Sequence, residues 1–437
     1  MTLRDEAVEL LQELIRLDTV NPPGNETKAA ELLREYLEGN GVACELYAKV
    51  PGRANLVARI PGRGDGPRLL LLSHTDTVLA DPAEWSVDPW LAEIRDGHVW
   101  GRGALDMKGQ VAASAVALAS LRREGHEPAG DLIFAACADE EMGEGVQYGL
   151  QWLVEAHPEA IEAEYSLNEG AGDRIELGGR VFYLCSTAEK RSSPFRLRVQ
   201  GRSGHGSMPG IADNALVKAA KLIQRLDEFR PKLQIGPELE AMLRAFVGDV
   251  PSPEQVLELA RGLDPLAVEV VEPLLSMTVS PTMISASDKR NVIPGVCDVT
   301  VDCRLLPEQT QDEAQAELLA WLGEGDYEFE WTGGYGGTRS PADTPLWDAV
   351  SSFVEEAEPG AVAVPFLVPG FTDSHWVRER FGTVAYGFFP MKMDPRLSAR
   401  LIHSADERIA IEDVGLALDF LRHAATTVGK SEAAVTS

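Results

Sequence analysis

Four short segments gather histidine and carboxylate side chains that could hold metal ions: HTD at 74–76, GALDMKG at 103–109, DEE at 139–141 and IHSADE at 402–407. Nitrogen and oxygen donors brought from separate stretches of chain are the ligand types of a two-metal hydrolytic site, where cations polarise a carbonyl and activate water. The chain therefore reads as an enzyme. Its five cysteines, Cys44, Cys137, Cys185, Cys297 and Cys303, are odd in number, scattered and without a C-x-x-C pair. That argues against both a disulfide framework and thiolate zinc, so a metal here must use nitrogen and oxygen.

Each cluster follows an element that can aim it. LLLLS at 69–73 reads as a buried strand stopping just before His74. DLIFAACA at 131–138 reads as a second strand running into Asp139, Glu140 and Glu141, and 165–167 as a weaker third that delivers Asn168, Glu169 and Gly170. Between the first two, Val111, Ala112, Ala115, Val116, Leu118 and Ala119 repeat at helical spacing before the stop signal GHEPAG. Strands alternating with helices, with polar residues at their carboxyl ends, predict an α/β fold: a mostly parallel sheet with helices on both faces.

After about Glu189 the pattern changes. FRLRV at 195–199 alternates as a strand with one wet face. A helix is expected over 214–229, strands over 277–286 and 296–304, a helix over 311–322 and a strand over 327–331. This order predicts an inserted α+β, ferredoxin-like lid domain at 190–332, with an extra helical elaboration near 231–273. Residues 1–189 and 333–437 are left as the catalytic, metal-binding domain, with a buried strand over 382–389 and a closing helix over 411–425. Only the tail beyond Gly429 reads as disordered.

At 437 residues two domains are the default, and 44% hydrophobic content is enough to build substantial cores. Forty Lys and Arg against 69 Asp and Glu give a net charge of −29, a field that repels phosphate backbones and anionic membranes. Neither nucleic acid nor a membrane is expected as a partner. The first 17 residues alternate charges with Leu, Val and Ile at helical spacing, unlike a signal peptide, and no apolar run approaches the ~18 residues of a membrane span. A cytoplasmic protein acting on a small-molecule substrate is expected.

The ordered set from His74 to His403 resembles the co-catalytic di-zinc family of aminoacylases, acetylornithine deacetylases, succinyl-diaminopimelate desuccinylases and glutamate carboxypeptidases, across most of the chain. The resemblance implies a zinc-exopeptidase-like catalytic domain in which His74 and Glu169 bind one zinc, Glu141 and His403 bind the other, and Asp106 bridges them. Cobalt or manganese suits the same donors. It further implies that Asp76 orients the His74 imidazole, that Glu140 is the general acid/base working on a metal-bridging hydroxide, and that the peptide between Asp106 and Met107 is cis. GHGSMP at 204–209 is similar to the family's lid loop, whose histidine, here His205, stabilises the oxyanion, often in the partner subunit's site; a homodimer through the lid follows. Asn291 in NVIPG and Arg304 in DCRLLP match substrate-binding residues, and GFTD at 370–373, with Gly370 and Asp373, matches a loop lining the substrate pocket. The chain departs from the family where Val78 and Leu79 replace a proline after the HTD segment, and where the third ligand segment reads NEG; neither removes a ligand. The long lid, with LDPLAVEVVEPLLSMTVSPTMIS leading into NVIP, resembles the carboxypeptidase S and N-fatty-acyl-amino-acid hydrolase branch.

Plainer readings compete residue by residue. Of eight histidines, His98, His126, His157 and His423 sit at turns, helix ends or a closing helix and read as structural or solvated, while His375 reads equally as a pocket residue or a solvated one. DEE alone would be a solvated loop, but it directly follows an apolar strand. Gly101-Arg102-Gly103 and the 333–337 run lack the G-x-G-x-x-G and G-K-[ST] spacings of phosphate loops and read as tight turns. The expected activity is metal-dependent cleavage of an amide in N-acyl-L-amino acids or peptides next to a free carboxylate. Its rivals are an esterase or deacylase without a carboxylate requirement, and a non-catalytic relative that binds metal and ligand.

Overall fold

The structure is a computed structural model and describes residues 1–142, 148–263 and 267–428. The chain divides into two compact units, one of 1–187, 340–366 and 372 onward, the other of 188–339 with 367–371.

The first unit is built on a sheet whose strands run in the order Ala43–Ala48, Ala54–Ile60, Leu132–Cys137, Leu69–His74, Tyr165–Asn168, Val384–Gly387, Arg180–Glu189 and Val362–Val368, with Arg174–Leu177 paired to Arg180–Glu189. The four central strands are parallel, and antiparallel pairs flank them on both sides. The sheet is therefore mixed, with the expected parallel arrangement at its centre. Its antiparallel members include two hairpins, which tight turns such as Gly178-Gly179 permit without a crossover helix.

Alternation along the strands sorts side chains to two cores. Leu69, Leu71, Phe134 and Ala136 face helices Leu3–Ile15, Lys108–Arg123, Pro345–Ala357 and Ile411–Thr427, while Leu70, Leu72, Ile133 and Ala135 face Leu150–Ala156 and Ser374–Phe381. The Ala-rich helix Lys108–Arg123 is buried along almost its whole length, since small side chains let helices Leu3–Ile15 and Ile411–Thr427 pack closely on it. Because Leu69–His74 runs parallel to Leu132–Cys137 with His74 opposite Cys137, the HTD and DEE segments leave the sheet side by side. Tyr165–Asn168 lies on the other flank of Leu69–His74 and releases Glu169 at the same edge. A small sheet of Arg408–Ala410, His98–Trp100 and Glu93–Arg95 brings the His403 segment to the loop that carries Asp106.

In the second unit, Tyr327–Trp331, Phe195–Gln200, Val296–Leu305 and Thr278–Ser285 lie in that order, all antiparallel. That is the strand order of a ferredoxin-like βαββαβ fold. Helices Ala215–Asp227 and Gln311–Leu322 supply Ala215, Ala219, Leu222, Ala314 and Leu318 to its core. Between the first helix and the second strand stand Pro237–Val247, Pro253–Leu263 and Ala267–Leu275, where the sequence reading placed a helical elaboration. The unit runs past the expected end at 332 to Arg339, because Arg191–Ser192 pairs with both Tyr335–Gly336 and the end of Val296–Leu305. It also includes Leu367–Phe371, whose Val368 and Gly370 carbonyls accept the Lys190 N–H. No helix among the described residues is long and apolar enough to cross a membrane. The tail beyond Gly429, expected to be disordered, lies outside the described residues.

Candidate metal centre

Asp106 turns one carboxylate oxygen to each of two histidines. Its Oδ1 lies 3.1 Å from His74 Nε2, and its Oδ2 lies 3.1 Å from His403 Nε2. His74 Nε2 is also 3.6 Å from Glu169 Oε1, and His403 Nε2 is 3.1 Å from Glu141 Oε2. Two groups result, His74 with Asp106 and Glu169, and Asp106 with Glu141 and His403, and within each the donor atoms lie within 4.8 Å of one another. The peptide between Asp106 and Met107 is cis.

The electrostatics favour cations among these donors. Burial raises the Glu141 carboxyl to about 7 against the pull of the His403 bond, with Asp106 adding to the rise. Burial also pushes Glu140 well above the usual carboxylate range, helped by the charges of Glu169, Glu141 and Asp373. Hydrogen bonds to Asp106 and Glu141 lift the His403 imidazole to about 10, and Glu169 and Asp106 raise His74 against its burial. Converging carboxylates with only imidazolium to balance them are short of positive charge. Imidazole nitrogens and carboxylate oxygens in two groups sharing one carboxylate fit a pair of divalent cations.

A ring of buried groups fixes these donors. His74 Nδ1 lies 3.1 Å from the Asp76 carbonyl and 3.5 Å from its carboxylate, which selects the ring orientation that points Nε2 inward. The Asp76 carboxylate accepts the backbone N–H groups of Glu140 at 3.2 Å and Glu141 at 3.1 Å, and the Asn21 amide at 2.8 Å. Burial alone would raise that carboxyl; His74, Asn21 and the backbone donors hold it below its usual value instead. One aspartate thus orients a histidine and both glutamates. Glu407, fully buried, accepts from Arg102 and from the N–H groups of Gly103, Leu105 and Asp106. Nothing in the sequence distinguishes Asn21 or Arg102 as members of this ring, and Glu407 stands out only as the last residue of the IHSADE segment.

Asp373 lies at the start of helix Ser374–Phe381, near enough to Glu140 to raise its carboxyl. His375 is fully buried, its Nδ1 2.7 Å from the Thr372 carbonyl, so the solvated alternative does not hold. His157 packs on Tyr47 and Trp152, and His423 meets Ser352 at 3.0 Å.

The remaining expected residues belong to the second unit. His205 is exposed on the short strand Gly204–His205, which pairs with Val292–Ile293, and the Asn291 carbonyl accepts the Gly206 N–H at 2.8 Å. His205 Nδ1 accepts the Ser207 N–H at 3.2 Å and meets its hydroxyl at 2.8 Å, which leaves Nε2 as the ring's donor. Arg304 donates from Nε and Nη2 to the two oxygens of Asp302, each at 2.9 Å, and the guanidinium lies over the Phe371 ring, next to Gly370.

Residues 70–427 match peptidase family M20/M25/M40. Over 416 residues the chain is 30% identical to aminoacylase-1 of Sus scrofa, covering 92% of this chain and 90% of that one. It is 34% identical over 270 residues to a succinyl-diaminopimelate desuccinylase of Rhodospirillum centenum, covering 59% and 66%. Among solved structures, an M20 family metallo-carboxypeptidase from Sulfolobus solfataricus superposes with a TM-score of 0.74 at 20% identity, covering 97% of this chain and 99% of that one.

Proposed function

The chain belongs to peptidase family M20/M25/M40 and is a hydrolase, and from that premise we propose that it cleaves the amide bond of N-acyl-L-amino acids or peptides next to a free carboxylate. Two metal ions, with zinc the first choice, would be held by His74, Asp106 and Glu169 on one side and by Asp106, Glu141 and His403 on the other. The observation that carries this reading is the Asp106 carboxylate, with one oxygen directed to each histidine. Bound cations would supply Lewis acidity and lower the pKa of water towards neutrality.

The chain's own residues do the rest. Glu140, which is not among the metal donors, would as a carboxylate take a proton from the attacking water and deliver it to the departing amide nitrogen. Asp76 keeps Glu140 and Glu141 aimed through their backbone N–H groups. His205, with Nε2 as donor, stabilises the oxyanion. Arg304 and Asn291 bind the substrate carboxylate, and Gly370 and Asp373 line the pocket.

The lid edge supports a homodimer. Strand Thr278–Ser285 pairs on one side with Val296–Leu305 and on the other with no strand among the described residues, and it exposes Met283 and Ile284. Helix Ala215–Asp227 exposes Leu216 and Val217. An unpaired edge with apolar side chains is a template for a second copy. His205 of one subunit would then serve the partner's site.

A second reading, hydrolysis with no carboxylate requirement, is favoured by the Asp302 carboxylate already seated in the Arg304 fork. Parallel kinetics on N-acyl amino acids and their amides, with metal-depleted and zinc-reconstituted protein, separate the two. Expected are metal-dependent hydrolysis, apolar acyl amino acids or dipeptides preferred over succinyl-diaminopimelate, and a loss of about 1.5–3 kcal/mol in kcat/KM on amidation, the worth of a hydrogen bond to a charged group. Equal kinetics on acid and amide would favour the second reading.

A further inference from the structure

Beyond the residues assigned to metal and substrate, a buried polar network reaches the Asp139-Glu140-Glu141 turn from the far side. Arg53, at the end of the hairpin turn before strand Ala54–Ile60, is almost fully buried. It donates from Nε and Nη2 to the two oxygens of Glu26 at 2.6 and 2.7 Å, and from Nη2 to Asp139 Oδ1 at 2.7 Å. Its Nη1 donates to the Pro23 carbonyl at 3.1 Å, and its guanidinium lies 4.8 Å from the centre of the Tyr148 ring.

Asp139 carries the other half of the network. Its Oδ1 also accepts from the Asn21 amide at 3.0 Å, and its Oδ2 accepts the Tyr148 N–H at 2.9 Å. The same Asn21 nitrogen donates to Asp76. Asp139 has φ 67°, a left-handed conformation that an aspartate holds only with local support. The 21–24 loop is shaped around the guanidinium: Gly24 has φ 77°, and a Cβ there would overlap the Arg53 side chain.

The geometry points to Arg53 as a positioning residue. With Glu26 and Asn21 it fixes the left-handed turn at Asp139, and through that turn the direction in which Glu140 and Glu141 leave strand Leu132–Cys137. A planar fork that makes two bonds to Glu26 and a third to Asp139 is something a lysine reproduces only in part. The inference rests on the acid/base and ligand roles proposed for Glu140 and Glu141. Because Glu141 belongs to the group with Asp106 and His403, the effect reaches metal binding as well as turnover.

The test compares Arg53→Met, Arg53→Lys and Asp139→Asn in the full chain, by chelator competition for zinc and by steady-state hydrolysis of an N-acyl amino acid at saturating zinc. Expected for Arg53→Met is a fall of about 10–100-fold in affinity for one of the two ions, the usual effect of removing an outer partner. A fall in kcat of at least about tenfold should accompany it with KM nearly unchanged, and Arg53→Lys should recover part of both. A merely structural role would lower the Tm and leave affinity and kcat per loaded site intact. Should Arg53→Met not fold, Asp139→Asn decides: asparagine tolerates the left-handed backbone and keeps the shape but loses the charge that Arg53 grips. Folded variants with affinity and kcat within about twofold of the parent would overturn the inference. Glu140→Gln in the same assay guards the underlying mechanism; if it kept full turnover, that mechanism would fail, and the zinc affinities would still decide the role of Arg53.

Discussion

Glu407 holds Asp106 by its backbone. One Glu407 oxygen accepts the N–H of Asp106 at 3.1 Å and of Leu105 at 2.8 Å, and the other accepts the Gly103 N–H at 3.0 Å and the Arg102 guanidinium at 2.7 Å. Four donors on one buried carboxylate bind the loop that carries the shared Asp106 to the segment that carries His403. The side chain common to both donor groups is thus tied to an anchor four residues from the second histidine.

Replacing that anchor should be costly. Glu407→Ala leaves Arg102, 3% exposed, without its carboxylate, and breaking a buried pair from one side costs about 3–5 kcal/mol. Urea unfolding should show a loss of that size, and dialysed protein should retain less zinc than the parent. Unchanged stability and metal content would remove Glu407 from the account.

Metal binding should expel protons. His403 titrates at about 10 because Asp106 and Glu141 stabilise its imidazolium, and His74 is raised as well. Metal requires neutral imidazole, so binding below about pH 10 must displace these protons, and affinity should rise with pH until that point. Titration calorimetry in buffers of different ionisation enthalpy should show net proton release at pH 7 to 8. No dependence on the buffer would contradict the assigned ligands.

A second pH effect belongs to the lid. Lys190 is buried, donates to the Pro273 and Ser276 carbonyls, and is lowered by burial from 10.5 to about 7. Since the folded pKa lies below the unfolded one, the unfolded chain binds more protons between about pH 7 and 10.5, and stability rises with pH across that window. The slope from this group is at most about 1.4 kcal/mol per pH unit. In Lys190→Met that contribution should vanish, so the difference in unfolding free energy between variant and parent should change with pH above 7 and level off below it.

Much of this site was legible in the sequence because strand ends are. Leu69–His74 and Leu132–Cys137 appear as apolar runs, and the residues after them are the ones brought together. The βαββαβ order of the lid was equally readable, since its helices and strands alternate with clean periods. The Arg53 and Glu407 networks were not, because an arginine in a turn and a glutamate after a loop look the same whether solvated or buried. Arg304 shows the opposite limit: its type was read, but its pairing with Asp302, two residues away on the same strand, is a matter of geometry.

The proposed subunit sharing has a direct consequence. If His205 serves the partner's site, mixing inactive Glu140→Gln and inactive His205→Ala subunits under conditions that allow exchange should restore part of the activity, because hybrid dimers contain one site with both residues intact. Exchange shown by mass spectrometry without recovery would place His205 in its own subunit's site or in none.

The most direct measurement is turnover by Glu140→Gln with its metal content. The variant should bind two equivalents of zinc like the parent, since Glu140 is not among the proposed ligands, and kcat on an N-acyl amino acid should fall by about 10²–10⁴-fold, the range for a lost general acid/base. A fully loaded Glu140→Gln protein that turns over near the parental rate would contradict that role.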